Sequence, residues 1–409
     1  MRVWLVTIGE ELPATPGIRK ARTALLADSL VRRGHDVLWW TSTFDHFQKR
    51  HLFTTDQELT IAERYRIHAI KGIGYKKNIS LSRIADHRVI AWRFSKRVQK
   101  MSPPDLILAA MPSYDLAWQA VKYANEHGIP VLLDIRDQWP DIFFDHVPKP
   151  LRKIARLFFT PELRMLRKQM QQATGIIAMM DSLLEWGLRY AGRSGTWMDR
   201  VFYLGFSSEY LHDEPVDRIV RMMTPLTDRF IVTFFGTFGY YHNPSVLIEC
   251  AKALQDSNIH FVIAGDGELM DDIKSKAAGL ANVTLPGWLN QHEIITLLKY
   301  SNVGACTTPQ YAEFFPNKAF VYLSAGLPLV SSFQGDIKTF IEEHQIGFYY
   351  PPNDAQALCE CLKKLCYSKE NYMDMSARAR NVYVTLLDAK QIYDEYGEHL
   401  ENICRELRN

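Results

Sequence analysis

Along this chain, short unbroken apolar runs alternate with stretches whose apolar residues fall three and four apart, the respective marks of buried strands and amphipathic helices. Residues 1–8, MRVWLVTI, form the first such run and predict a core strand. A loop with two prolines follows over 10–16. Residues 19–33 then carry Ala24, Leu25, Ala27, Leu30 and Val31 at helical spacing, Gly34 caps the helix, and Val37, Leu38, Trp39 and Trp40 begin the next strand. This is a βαβ unit. It has no G-X-G-X-X-G after its first strand, so a dinucleotide cofactor is not expected. Residues 41–101 resist parsing. Beyond them the pattern predicts a strand over 105–109, a helix over 114–127 stopped by Gly128 and Pro130, a strand over 131–133, a strand over 174–180, a helix over 181–191 and a crossing segment over 201–206.

Residues 193–228 hold their weakest periodicity just before a new strand and are read as the linker. The second half then repeats the βα rhythm. Strands at 231–235, 260–264, 283–285, 303–306 and 329–332 alternate with helices starting near Pro244, Glu268, Gln291 and Asn317. Such alternation means an α/β fold with parallel sheets and helices on both faces. The end of the chain, 381–407, has long helical periodicity. At 409 residues the chain exceeds one ordinary core, so two domains of roughly 150–200 residues each are expected.

Composition narrows the class. With 47% hydrophobic and 23% charged residues the chain reads as globular, and its longest apolar runs fall far short of the roughly 20 residues of a membrane helix. Residues 1–8 resemble a signal core only superficially, because Gly9, Glu10 and Glu11 follow without a small-residue cleavage site. Six cysteines in the second half show neither a disulfide framework nor zinc spacing and read as reduced, structural thiols of a cytosolic protein. The net charge of +2 conceals an asymmetry: residues 1–200 hold 31 Lys and Arg against 20 Asp and Glu, while the remainder holds 17 against 26. Only the first half should therefore face an anionic surface. Within it, residues 71–100 carry nine cations and one acid, interleaved with Trp92 and Phe94, and residues 149–168 carry seven cations against Glu162 around the string LRKIARLFF. Cations interleaved with apolar residues suit a helix lying on anionic lipid, although a solvated face of a soluble helix has the same appearance. A nucleic-acid partner is not expected, since no nucleic-acid motif appears and the acidic half would repel it.

Three stretches carry candidate chemistry. The first is 309–332, read as a polar loop, a helix from Asn317 to about Ala325, a Gly326-Leu327-Pro328 turn and a buried strand. A helix start attracts phosphate through its free N–H groups and dipole, Lys318 lies in that first turn, and Glu313 precedes it. The second is Phe235-Gly236-Thr237-Phe238-Gly239, where glycines after a strand let backbone approach a pyrophosphate. The third is Asp134-Ile135-Arg136-Asp137-Gln138-Trp139-Pro140-Asp141, an acidic cluster at the carboxyl end of a predicted strand, where ligands bind in open α/β sheets.

These stretches resemble family 4 retaining glycosyltransferases of the GT-B fold. Glu313 falls on the first of the family's two glutamates and Ser324-Ala325-Gly326-Leu327-Pro328 on its Ala-X-Gly-X-Pro turn; eight residues beyond Glu313 the second glutamate, which usually holds the ribose, is replaced by Val321. The arginine and lysine usual after the glycine loop are replaced by Tyr240-Tyr241-His242-Asn243, which leaves Lys318 as the main candidate for diphosphate charge. Asp134–Asp141 and Trp39-Trp40-Thr41-Ser42-Thr43-Phe44-Asp45-His46 resemble the branch that builds bacterial surface polysaccharides, O-antigen or capsule.

The resemblance implies two Rossmann-like doubly wound domains facing each other across a cleft: an acceptor domain over 1–205 completed by a final helix from about 385, and a nucleotide-sugar domain over 206–384. It implies an EC 2.4 hexosyl-type transferase that moves a sugar from a nucleotide-diphosphate sugar, with UDP the expected nucleotide, to a membrane-associated lipid-linked or polysaccharide acceptor with retention, without metal or other cofactor, at the cytoplasmic face of the membrane. Glu313, Asp134 and Asp137 would be catalytic. Gly236, Thr237, Gly239, Asn317 and Lys318 would bind the donor, with Gly287 and Trp288 in the loop that reads the base. Gly17, Arg19 and Arg136 would line the acceptor or the loop approaching it. A GT-B sugar-nucleotide epimerase and a catalytically weak nucleotide-sugar-binding homologue are the alternatives.

Overall fold

The structure, a computed structural model, describes residues 1–13, 20–78, 80–145 and 147–407. Their contacts divide the chain into two compact units, Met1–Tyr203 with the tail Ile392–Asn409, and Leu204–Gln391.

In the first unit the strands are β1 (Arg2–Val6), β2 (Asp36–Ser42), β3 (Phe44–Asp45), β4 (Arg50–His51), β5 (Gln57–Ala62), β6 (Tyr65–Ile70), β7 (Leu106–Met111), β8 (Val131–Ile135), β9 (Gly175–Ala178) and β10 (Arg200–Val201). The main sheet runs β10-β9-β8-β7-β1-β2-β6-β5, parallel except for the antiparallel edge strand β5. Helices α1 (Arg22–Arg32), α2 (Leu81–Val98), α3 (Tyr114–Glu126), α4 (Asp141–Asp145), α5 (Arg152–Phe158), α6 (Thr160–Gln172) and α7 (Asp181–Ala191) connect them. The stretch 41–101, which no simple periodicity describes, contains β3 to β6 and α2. Its strands are short, and β5 is a half-exposed edge whose alternation a buried-run search passes over.

The apolar runs fill the core as the pattern predicts. Trp4 on β1 stacks on Tyr123 of α3 with ring centres 5.5 Å apart, and Trp40 on β2 meets Phe94 of α2 edge to face at 5.2 Å.

The second unit opens with α8 (Asp217–Met223), inside the stretch read as a linker. The reading fails because Ile219 and Met223, four residues apart on one face, bury against Ile231, Val262 and Leu297; seven residues are too few to register as periodicity. Strands β11 (Phe230–Thr237), β12 (Ile259–Asp266), β13 (Val283–Thr284), β14 (Val303–Cys306), β15 (Leu329–Ser331) and β16 (Gly347–Tyr349) form the parallel sheet β13-β12-β11-β14-β15-β16. Around it lie α9 (Ser245–Ala253), α10 (Met270–Ala277), α11 (Gln291–Leu298), α12 (Asn317–Ser324), α13 (Asp336–His344), α14 (Ala355–Tyr367) and α15 (Lys369–Val382). The chain goes from β11 to one neighbour, β12, and returns to the other, β14. The carboxyl ends of β11 and β14 are therefore a topological switch point, where such sheets leave a crevice.

The periodicity over 381–407 is interrupted by a wide turn at Tyr383–Leu387, after which Asp388 accepts the amide of Lys390 at 2.9 Å at the head of α16 (Ala389–Glu406). From Ile392 onward α16 belongs to the first unit. Its Asp394 pairs with Arg32 at 2.9 Å, its Glu401 pairs with Arg33 at 2.6 Å, and its Tyr396 stacks on Phe202 at 4.3 Å.

Candidate functional site

The crevice at the ends of β11 and β14 is built around Lys318. Helix α12 packs against the sheet so tightly that Lys318 through Ser324 are all buried, and the lysine side chain is drawn inward with them. Its Nζ lies 3.8 Å above the ring centre of Phe234, and a Cβ on Gly236 would come within 3.3 Å of it. The ammonium has no hydrogen-bond partner among the described residues, and burial pulls its pKa down to about 8. A buried cation without a partner is costly, and an anion bound beside it would offset that cost.

The surroundings suit an anion. Gly236 sits at φ 133°, a conformation open to glycine, so the chain turns at the strand end with its amides bare of side chain. Gly265 passes beneath, where a Cβ would stand 2.0 Å from the Gly236 carbonyl oxygen; the turn at 265–267 is thus a packing requirement of the loop above it. Pro316 precedes α12 without any side-chain cap, leaving the first-turn amides of Asn317 and Lys318 to whatever occupies the crevice, and Asn317 is exposed. Thr237 is exposed and Gly239 half-buried on the same loop.

Sequence reasoning did not find His242 or Phe234. The imidazole of His242 is held neutral, its pKa lowered to about 4 by burial and then by the Lys318 charge, and its Nδ1 has no partner among the described residues. The signal was present in the Tyr240-Tyr241-His242-Asn243 string, read only as a missing Arg/Lys pair.

Glu313 is exposed on the loop before α12. It accepts a hydrogen bond from the Tyr311 hydroxyl, and its backbone is bridged to Gln334. Gly287 lies in the left-handed region at φ 77°, its carbonyl accepts the Gly265 amide at 2.8 Å, and Trp288 beside it is 62% exposed. The loop of Gly287 and Trp288 is therefore fastened to the end of β12, next to the glycine loop. Val321, at the position of the expected second carboxylate, is buried on the core side of α12.

In the first unit the acidic cluster is used differently from the expectation. Asp134 is fully buried at the end of β8 and takes Arg22 in a bidentate pair, with contacts of 2.8 and 2.9 Å, and Arg136 at 2.9 Å. Burial pushes its carboxyl up, but Arg22 and Arg136 outweigh it and the net direction is down. Arg136 also reaches Glu10 and donates to Thr23 Oγ1 at 3.0 Å, while Arg22 donates to the Phe202 carbonyl at 2.6 Å. Asp141 accepts from Trp186 at 2.9 Å and from the Tyr190 hydroxyl at 2.8 Å. These residues bind α1, β8, α7 and the crossing segment together. The expected role of Asp134 in holding a substrate hydroxyl is corrected on this ground, since its lone pairs are taken and water is excluded. Asp137 is half-buried, with its carboxyl pushed up chiefly by burial. Gly17 and Arg19 lie outside the described residues.

The fold, two units each built on a parallel sheet with helices around it, is the GT-B fold. Residues 221–382 match the family described as glycosyl transferases group 1. Over 330 residues the chain is 24% identical to the O-antigen chain mannosyltransferase C of Escherichia coli, covering 76% of this chain and 82% of that protein. It is 31% identical over 164 residues to the Escherichia coli UDP-Gal:alpha-D-GlcNAc-diphosphoundecaprenol alpha-1,3-galactosyltransferase, 38% of this chain and 41% of that one. Among solved structures, HepE from Anabaena in complex with UDP superposes with a TM-score of 0.67 at 15% identity, over 98% of this chain and 99% of that chain.

Proposed function

We propose that the protein transfers a hexose from a nucleotide-diphosphate sugar, UDP-linked, to a lipid-linked or polysaccharide acceptor in surface-polysaccharide synthesis, with retention of configuration. The observation that carries the reading is the buried, counterion-free ammonium of Lys318 facing a glycine turn and an uncapped helix start. Glycosyl transfer passes through an oxocarbenium-like state in which the leaving diphosphate gathers charge. Lys318, the amides of Asn317 and Lys318, and the turn over Gly236, Thr237 and Gly239 take that charge, so no metal is required. Glu313 binds the donor sugar, and Trp288 with the backbone of Gly287 receives the base. Asp137 orients the acceptor hydroxyl. The printed names of two similar proteins, one for a UDP-Gal galactosyltransferase and one for a UDP complex, support UDP.

The basic first unit meets the cytoplasmic face of an anionic membrane through α5, all of whose described residues are at least partly exposed. Leu157 and Phe158 are 72% and 78% exposed beside Arg152, Lys153 and Arg156. The other basic stretch contributes less, because Arg88, Arg93 and Arg97 of α2 are engaged by Glu162 and Asp56.

The test is a thermal-shift screen with UDP, UDP-sugars and GDP-mannose, the last because the relative aligned over 330 residues is named a mannosyltransferase. A shift with UDP-sugars that vanishes in Lys318→Met supports the reading; stabilisation by none of them overturns it. A catalytically weak binding homologue is favoured by Val321, and an epimerase would share the site. Transfer to a lipid acceptor that is lost in Glu313→Ala excludes the first, and a product that forms only with the acceptor excludes the second.

A further inference from the structure

The second unit holds a cavity of about 650 Å³ that the donor reading leaves unused. Ser301 and Leu327, which line it, stand two residues before β14 and β15, so it opens at the amino ends of these strands, opposite the Lys318 crevice at the carboxyl ends of β11 and β14. Leu298 and Ser324, the last residues of α11 and α12, add to its wall. Helix α15 completes it with Tyr372, Met373, Ser376, Ala377 and Arg380, whose spacing puts them on one helical face.

The lining joins apolar surface to positive charge. Leu298, Leu327 and Met373, the last 58% exposed, supply the first, and Lys299, Arg380 and His212 the basic groups; among the described residues no Asp or Glu lines the cavity. Yet in this half of the chain acids outnumber Lys and Arg by 26 to 17. Other cations of the unit are matched to acids, Arg218 to Glu293 at 2.9 Å and Lys276 to Asp272 at 2.7 Å. Lys299 and Arg380 instead donate to carbonyl oxygens, Lys299 to that of Asp213 at 3.2 Å and Arg380 to that of Ser324, and neither makes an ion pair among the described residues. The Asp213 carboxylate lies 2.8 Å from the His292 imidazole. A carbonyl offsets only part of a full charge and leaves further N–H donors on both side chains, so an oxyanion gains charge-assisted hydrogen bonds here. A volume of this order holds a whole small molecule rather than a bare ion, and a phosphate monoester brings nearly two charges with three acceptor oxygens.

Two of the lining residues also hold the end of α12. Arg380 donates to the Ser324 carbonyl, and the Ser376 hydroxyl donates to the Gly326 carbonyl at 2.7 Å. The eight residues of α12 cover about 12 Å and are buried from Lys318 to Ser324, so one packed helix has its start in the donor crevice and its end at this cavity. An anion that draws the guanidinium from Ser324 removes the partner of a C-terminal carbonyl and loosens the helix whose start meets the diphosphate.

We infer that this cavity binds a phosphate monoester with an apolar body, its phosphate on Arg380 and Lys299 and its body against Leu298 and Met373, and that its occupation weakens nucleotide binding through α12. The site stands on the cavity alone. Its effect on the nucleotide rests on the donor reading, to which it adds regulation.

Calorimetric titration at fixed ionic strength tests it, with phenyl phosphate as the probe and inorganic phosphate and phenol as controls. Phenyl phosphate should bind the wild type and Lys318→Met alike, more tightly than either control, and about tenfold or more weakly to Lys299→Glu. Lys299 is exposed and remote from the crevice, so Lys299→Glu should keep the melting temperature and, without the probe, the UDP affinity. Saturating phenyl phosphate should lower UDP affinity about fivefold or more in the wild type and leave it unchanged in Lys299→Glu, with UDP lowering phenyl phosphate affinity by the same factor. Arg380→Lys, which keeps the charge and loses the fork, should also diminish the effect. Absent binding, or binding undiminished in Lys299→Glu, overturns the site, and inorganic phosphate binding as tightly as the ester overturns the ligand class. UDP affinity that phenyl phosphate leaves unchanged, or lowers equally in Lys299→Glu through competition at Lys318, overturns the regulation. UDP failing to bind the wild type while Lys299-dependent binding persists strikes the donor reading and the link to it, and upholds the site.

Discussion

Lys318 and Asp134 are both buried charges, and what surrounds each decides its role. Two arginines saturate Asp134, so Asp134→Asn should cost about 3–5 kcal/mol in denaturant unfolding, because it leaves Arg22 buried without its partner. UDP affinity per folded molecule should not change; a loss of affinity with full stability would return Asp134 to the site. Lys318 faces the Phe234 ring and has no hydrogen-bond partner among the described residues, so Lys318→Met should leave the melting temperature unchanged or raise it while UDP binding is lost. Its pKa of about 8 lies below the ordinary 10.5, which fixes the sign of two pH effects. Diphosphate binding needs the ammonium, so UDP affinity should hold up to about pH 8 and decline above it in a calorimetric pH series. The neutral form is the one burial prefers, so this group makes the ligand-free protein more stable as pH rises from about 8 to 10.5. Charge at these positions was legible in the sequence; whether a partner waits beside it was not, since Asp134 meets Arg22 from 112 residues away.

Among the elements, those with long or continuous apolar patterns are where the sequence puts them. Helix α7 spans 181–191 as expected, and α12 begins at Asn317. Short elements escaped: α8 lies in the presumed linker, and β3 to β6 occupy the unparsed stretch. The two basic stretches read alike in sequence and differ in the structure. Helix α2 buries Ile90, Phe94 and Val98 and has Arg88, Arg93 and Arg97 paired with acids, whereas α5 buries nothing. This difference makes a sharp prediction for α5. Leu157→Asp with Phe158→Asp should reduce binding to vesicles of anionic phospholipid roughly tenfold or more, since each side chain contributes about 1.5–3 kcal/mol on burial. Melting should be unaffected, because both are exposed in the folded protein; a fall of several degrees would mean that α5 packs against protein instead.

At the scale of the whole molecule, charge is divided between the halves, with residues 1–200 holding 31 cations against 20 acids and the remainder 17 against 26. Vesicle binding should therefore weaken as salt rises from about 0.05 to 0.5 M, because the Debye length shrinks, and salt-independent attachment would point to apolar insertion alone. No helix among the described residues is long and apolar enough to cross a membrane. The sequence by itself determined the alternating βα order, the parallel sheets and the stretch around Asn317 where an anion would be met. Those follow from local periodicity and from the chemistry of a helix start, which neighbours in sequence carry. Only the tertiary structure decided which charges are spent and which are free. Pairing between residues tens to hundreds of positions apart leaves no local trace, and a lysine at a helix start reads the same whether solvent or a phenyl ring lies beneath it.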